Sequence, residues 1–284
     1  MTTPPSARAR VVVGIDATPL ARPTVLWAAE EARLRHCTLV ITHIREDSGA
    51  PADTREALTA EHELLAVSAE AASAWAPGVP VGSQLLRGTV SDELIAFSRT
   101  AALLVIGVDQ ARSRASHGAL GPLEDRVVAH AHCPVVVLPG RPSSEPRTPS
   151  HALAVVLPGT VAGHVLDLAA AEARLRSAGL RVLVVADAQR GPASVATGGD
   201  QALALLRTLR QQHPDLPVDV AGPEGDTLQA ILDQARSADF LVLASEHSDQ
   251  PWSIRIGALA GPVLRLAACP VFLVNEQIGA VHAA

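Results

Sequence analysis

Glu31-Ala32-Arg33-Leu34-Arg35 recurs unchanged as Glu172-Ala173-Arg174-Leu175-Arg176, 141 positions further along the chain. A repeat at this spacing is read first, because it sets the unit that folds. Working outward, Gly88-Thr89 ahead of an apolar helical stretch has a counterpart in Gly225-Asp226, at an offset of 137. Cys133-Pro134-Val135 returns as Cys269-Pro270-Val271, at an offset of 136. The offset falls steadily, as small loop deletions in a duplicated domain produce. The chain therefore reads as two copies of one domain, residues 1–140 and 151–284, with a linker over 141–150. Four prolines fall between Pro139 and Ser150, with serines and charges among them, which makes that connection extended and fairly stiff.

Within copy one, short Val/Leu/Ile-rich runs bounded by turn residues predict strands over Arg10–Asp16, Thr38–Ile44, Val81–Arg87, Ala102–Gly107 and Val135–Leu138. Helical patterns separate them. Pro23 to Arg35 places Val25, Ala28, Ala29 and Ala32 on one face, and Thr54–Trp75, Asp92–Thr100 and Gly121–His130 behave similarly. Copy two repeats the alternation, with strands expected over Ala152–Leu157, Arg181–Ala186, Pro217–Ala221, Phe240–Ala244 and Val271–Val274. Strand–helix alternation calls for an α/β fold, each copy a doubly wound, mainly parallel sheet with helices on both faces.

Composition narrows the function. Aromatic residues are only 2 % of the chain and tyrosine is absent, so the cores are built from aliphatic side chains, as strands buried on both faces require. A net charge of −6 argues against binding along a phosphate backbone, and Phe97, Phe240 and Phe272 sit in apolar runs rather than on an open stacking platform. Nucleic acid is excluded as a partner on these grounds. Cys37, Cys133 and Cys269 form no Cys-x-x-Cys pair, and an odd, sparse set fits a reducing compartment. No signal peptide and no membrane-spanning apolar stretch is apparent, so a cytoplasmic protein away from the membrane is expected.

Ligands of open α/β sheets settle at the carboxyl ends of strands where the strand order reverses. The first strand ends at Asp16 and the fourth at Gly107, and the loop from Val108 to Leu120 leads into a helix opening at Gly121. A loop ahead of a helix N-terminus offers free backbone N–H groups and a positive dipole end to a phosphate.

Val-Val-Val-Gly-Ile-Asp16, the Trp27-Ala-Ala-Glu-Glu-Ala helix, Thr-His43-Ile44, and Leu-Val-Ile-Gly107 followed by a loop and Cys133-Pro-Val together resemble the universal stress protein family. The resemblance covers nearly the whole chain as a tandem pair. It implies an adenine nucleotide alpha hydrolase-like fold with five strands per copy in the order 3-2-1-4-5. It also implies that the fifth strands, Val135–Leu138 and Val271–Val274, pair across a pseudo-twofold axis as an intramolecular pseudo-dimer. In nucleotide-binding members, Gly-x-x-Gly is followed after about nine residues by Gly-Ser or Gly-Thr, the glycines letting backbone approach phosphate.

This chain departs from that pattern. Gly107 matches, but Gln110 replaces the second glycine, ten residues follow it, and Gly121-Pro122 replaces Gly-Ser. Pro122 brings neither an N–H nor a hydroxyl, although it suits the first turn of a helix. Asp16 matches the acid expected at ribose or adenine, and Ile44 the residue whose backbone lies against adenine. In copy two, Asp16 falls on Leu157 or Pro158, Gly107 on Ala244, the second glycine on His247, and Gly257-Ala258 stands for Gly-Ser. The corresponding loop carries Trp252, a side chain large enough to fill a pocket instead of leaving it open.

Each residue also has a plainer reading. An Asp ending a strand starts turns and caps helices. Arg112 and Arg114 either replace lost phosphate contacts with charge or sit on a solvated loop, as does His117. His130, His132 and Cys133 match no common zinc spacing, and Cys133 reads as a small buried hydrophobe. Trp27 and Trp75 fall on helices and are expected to pack. No Walker loop, Gly-x-Ser-x-Gly elbow or His-Glu-x-x-His appears. The reading is a non-catalytic stress-response regulator or sensor with degenerate nucleotide-binding motifs. The alternative is ATP binding by copy one through Asp16, Ile44, Gly107 and Gly121 with Arg112 and Arg114, with slow ATP hydrolysis as its enzymatic variant. No cofactor is expected in copy two. A protein partner of unknown identity, and pairing of whole chains as a homodimer, stay open.

Overall fold

Val11-Val12-Val13 opens the first strand with side chains that are fully buried on both faces, the pattern of a strand sandwiched between helix layers. The computed structural model describes residues 10–46, 55–108, 122–139, 151–156, 162–185, 203–222, 225–245 and 259–275. Copy one runs β1 (Arg10–Ile15), α1 (Ala21–Leu34), β2 (Thr38–Arg45), α2 (Arg55–Trp75), β3 (Val81–Arg87), α3 (Val90–Ser98), β4 (Leu103–Val108), α4 (Pro122–His130) and β5 (Val135–Pro139). Copy two runs β6 (His151–Val156), α5 (Ala162–Leu175), β7 (Gly179–Val184), α6 (203–212), β8 (Val218–Ala221), α7 (Thr227–Ala235), β9 (Phe240–Ala244), α8 (Ala260–Leu266) and β10 (Val271–Val274). The connection over 141–150, read as a linker, lies outside the described residues.

The strands form one ten-stranded sheet in the order β3-β2-β1-β4-β5-β10-β9-β6-β7-β8. Within each copy all pairings are parallel. The seam pair is antiparallel, with Phe272 opposite Val136. Alternation along each strand feeds two apolar layers. Val11, Val13, Leu39 and Ile41 of copy one and Ala154, Val182 and Val242 of copy two belong to one layer, with Val25 of α1, Leu65 of α2, Val165 of α5 and Leu206 of α6. Val12, Val40, Leu104 and Ile106 of copy one and Leu153, Val155 and Leu241 of copy two belong to the other layer, with Leu94 of α3, Val127 of α4, Ile231 of α7 and Val263 of α8.

The repeated pentapeptide ends α1 and α5 in the same way. His36 and Ser177 take positive φ values of 51° and 53° just past the helices. Cys37 N–H donates to Ala32 O at 3.0 Å and Ala178 N–H to Ala173 O at 2.9 Å, the closing bonds of a left-handed helix stop. The stop leaves Arg35 and Arg176 at the carboxyl ends, where a cation suits the helix dipole. Both guanidiniums turn into the seam. Arg35 bonds Glu31 on its own helix and Glu172 across the seam, and Arg176 bonds Glu172 and Glu31 in return. Arg176 also lies 4.8 Å above the Phe240 ring, and Phe272 packs edge-on to Trp27. A second bond between copies comes from buried Asn275, whose side-chain amide donates to Val128 O and Ala131 O, each at 2.9 Å.

One packing expectation fails. Trp27 packs against the core, but Trp75 is 58 % exposed. The buried stripe of α2 runs through Leu65, Ser68 and Ala72 to Ala76, which leaves Trp75 one position round the helix, facing out.

Candidate functional site

At the carboxyl ends of β1, β2 and β4 a cleft of about 140 Å³ opens between the strands and α1, α3 and α4. This is where strand order reverses, since β1 lies between β2 and β4. Its lining includes Gly14, Ile15 and Asp16 from β1 and the turn after it, Thr42, His43 and Ile44 from β2, and Ile106 and Gly107 from β4. Thr24, Leu94, Leu123 and Glu124 complete the walls from the helices. Three of the residues singled out in the sequence, Asp16, Ile44 and Gly107, thus meet in one cleft. Arg112, Arg114 and Gly121 lie outside the described residues, as do Gln110 and His117.

Each of the three carries a structural duty as well. Asp16 Oδ1 accepts hydrogen bonds from the Thr18 N–H at 3.1 Å and the Thr18 hydroxyl at 2.5 Å, which makes it the opening residue of a turn. Ile44 is buried and contributes its side chain to the apolar layer shared with Leu94. Gly107 is a glycine because α1 presses on it: a Cβ there would stand 2.6 Å from Thr24 Oγ1. Thr24 cannot easily turn away, as its hydroxyl donates to Leu20 O at 2.7 Å.

Three further residues of the cleft were not singled out as binding groups. Thr42 is fully buried and its hydroxyl has no hydrogen-bond partner among the described residues. A hydroxyl inside the run Leu39-Val40-Ile41-Thr42 was the available signal. His43 Nδ1 lies 2.9 Å from Ile15 O, and since a carbonyl only accepts, Nδ1 carries the proton and Nε2 remains an acceptor in the neutral ring. Glu124 sits in the first turn of α4 with Asp125. Among the described lining residues there is no lysine or arginine, while Asp16 and Glu124 supply two carboxylates.

Strand register aligns the two copies residue by residue. Gly14 opposite Thr42 in copy one corresponds to Val155 opposite Leu183 in copy two. Ile106 and Gly107 correspond to Leu243 and Ala244. Val155, Leu183 and Ala244 are all buried, so larger apolar side chains take the positions of Gly14, Thr42 and Gly107. Val156 stands where Ile15 does, and the next residue in sequence is Leu157 in place of Asp16.

A sequence profile described as "Universal stress protein family" matches residues 8–139 and again 151–275. The chain belongs to the universal stress protein family. A universal stress protein of Mycobacterium tuberculosis is 30 % identical to it over 289 residues, covering 96 % of this chain and 97 % of its own length. Another from the same species is 32 % identical over 259 residues, covering 87 % of this chain and 92 % of its own. A universal stress protein from Archaeoglobus fulgidus superimposes with a TM-score of 0.73 at 15 % identity, over 94 % of this chain and 98 % of that one. A functionally unknown protein from Pseudomonas aeruginosa gives 0.62 at 18 % identity, over 98 % and 96 %. These likenesses confirm an α/β fold with tandem universal stress protein domains. No helix among the described residues is long and apolar enough to cross a membrane.

Proposed function

We propose that this chain is a non-catalytic stress-response regulator whose nucleotide-binding motifs have degenerated, throughout copy two and in the phosphate half of copy one. The observation that carries this reading is the exchange of Gly14, Thr42 and Gly107 for the buried Val155, Leu183 and Ala244. At these three positions copy two presents side chains without polar atoms, which cannot orient a ligand. Copy two acts instead as a built-in partner of copy one, a pseudo-dimer supported by the β5–β10 pairing and the Arg–Glu cluster at the seam. The regulator works in the cytoplasm, a placement supported by its odd, sparse set of three buried cysteines, and delivers its signal to a protein partner. Titration of the full chain with MgATP tests the reading. Little or no heat is expected, together with no nucleotide released on denaturation; stoichiometric, tight MgATP binding sinks it.

A second reading is favoured by the Thr42 hydroxyl, which lies unpartnered against the cleft that Asp16, Ile44 and Gly107 share. On this reading copy one still takes an adenine-type ligand, with slow ATP hydrolysis as its enzymatic variant.

A further inference from the structure

We propose that the copy-one cleft selects an uncharged nucleoside over its phosphorylated forms; this rests on the second reading, that the cleft takes an adenine-type ligand. The polar side chains on its described walls are the carboxylates of Asp16 and Glu124, the hydroxyls of Thr42 and Thr24, and the imidazole of His43; the Thr24 hydroxyl already donates to Leu20 O. An ionised carboxylate and a phosphate are both anions, so bringing them together is penalised by like-charge repulsion. Sugar hydroxyls and a base amino group are donors, and these suit Asp16 and Glu124.

The place where a phosphate usually docks is altered too. α4 begins with Pro122, which has no N–H to offer, and Glu124 with Asp125 already answers the positive end of its dipole. Deeper in, the fully buried Thr42 hydroxyl is the polar atom left for a base to satisfy, since it both donates and accepts. Leu94, Ile106 and Leu123 supply apolar walls for a flat ring.

Calorimetry of the full chain against adenosine, AMP and MgATP tests this. Adenosine is expected to bind about tenfold more tightly than AMP, with MgATP weaker again, because like charges brought together across an interface are penalised. In Glu124→Gln the deficit of AMP against adenosine narrows, because one of the two carboxylates that repel the phosphate has lost its charge. In Thr42→Val adenosine weakens about tenfold, the loss of one good hydrogen bond, while the unliganded protein melts no lower because an orphan hydroxyl has gone. Thr42→Ser keeps the hydroxyl and is expected to keep adenosine affinity.

AMP or MgATP binding at least as tightly as adenosine overturns the inference, the more so if Arg112→Ala with Arg114→Ala abolishes that binding. Unchanged adenosine affinity in Thr42→Val overturns it as well. Failure of all three ligands to bind is a different result: it removes the adenine-ligand reading itself, and this inference with it.

Discussion

Arg35 of copy one and Glu172 of copy two meet across the seam at 2.5 Å, and Arg176 returns the contact to Glu31. The side chains of Glu31 and Glu172 are only 3 % and 7 % exposed, those of Arg35 and Arg176 only 14 % and 15 %. Burial works against the Arg35 charge, yet Glu31 and Glu172 outweigh it and hold the guanidinium above its ordinary range. Because one pentapeptide supplies both halves, the cluster closes on itself as an isologous interface does.

Removing one member therefore strands a buried charge. Glu172→Gln is expected to cost about 3 kcal/mol in urea unfolding. Exchanging all four residues together, Arg to Met and Glu to Leu, is expected to stay within about 1 kcal/mol of the parent, since four buried charges are also expensive to desolvate. A single variant that loses less than about 0.5 kcal/mol would show that the cluster is solvated in solution.

Asn275 spans the seam from the other side of the sheet. Asn275→Ala leaves the Val128 and Ala131 carbonyls without their side-chain donor and is expected to cost about 2 kcal/mol. Hydrogen exchange should then quicken in the last turn of α4. Unchanged protection there would mean that the carbonyls find another donor.

The contact at Gly107 predicts a rescue. Gly107→Ala drives a methyl into Thr24 Oγ1 and is expected to lower stability by about 2 kcal/mol, by strain rather than by loss of a ligand. Thr24→Ala in the same chain should recover most of that loss. A double variant no more stable than Gly107→Ala alone rules out the clash as the cause.

His151 makes stability depend on pH. Burial holds its imidazole below the ordinary histidine range, with Arg181 reinforcing and Asp239 and Asp219 opposing. The unfolded chain then takes up the proton first. The stabilising contribution is complete above about pH 6.5 and is lost as pH falls through that value toward the folded pKa. Melting temperature should drop more between about pH 7 and 5 in the parent than in His151→Gln. Parallel profiles would assign the acid sensitivity to other groups.

Much of this architecture is legible in the amino-acid sequence. Strands such as Val11-Val12-Val13 and the apolar stripe Val25, Ala28, Ala29, Ala32 announce themselves through short-range periodicity, which backbone geometry imposes directly. Duplication was equally plain, since it is a property of the letters. Asp16, Ile44 and Gly107 were found through motif resemblance, and they do converge on one cleft. The reason for Gly107 was not legible, because Thr24 lies far away in sequence and touches it only once α1 has packed.

Glu30 and Glu31 show where local pattern stops informing. Adjacent and chemically identical, one pairs with Arg33 at the surface and the other is buried in the seam cluster. The repeated pentapeptide determined by itself that two equivalent helix ends exist, each with an acid and a base one turn apart. Folding of the sheet decided that these ends face each other across β5 and β10, so that opposite charges 137 and 145 positions apart in sequence neutralise one another. The same holds for Thr42: a hydroxyl is visible in any sequence, but whether it has a partner depends on every element packed around it.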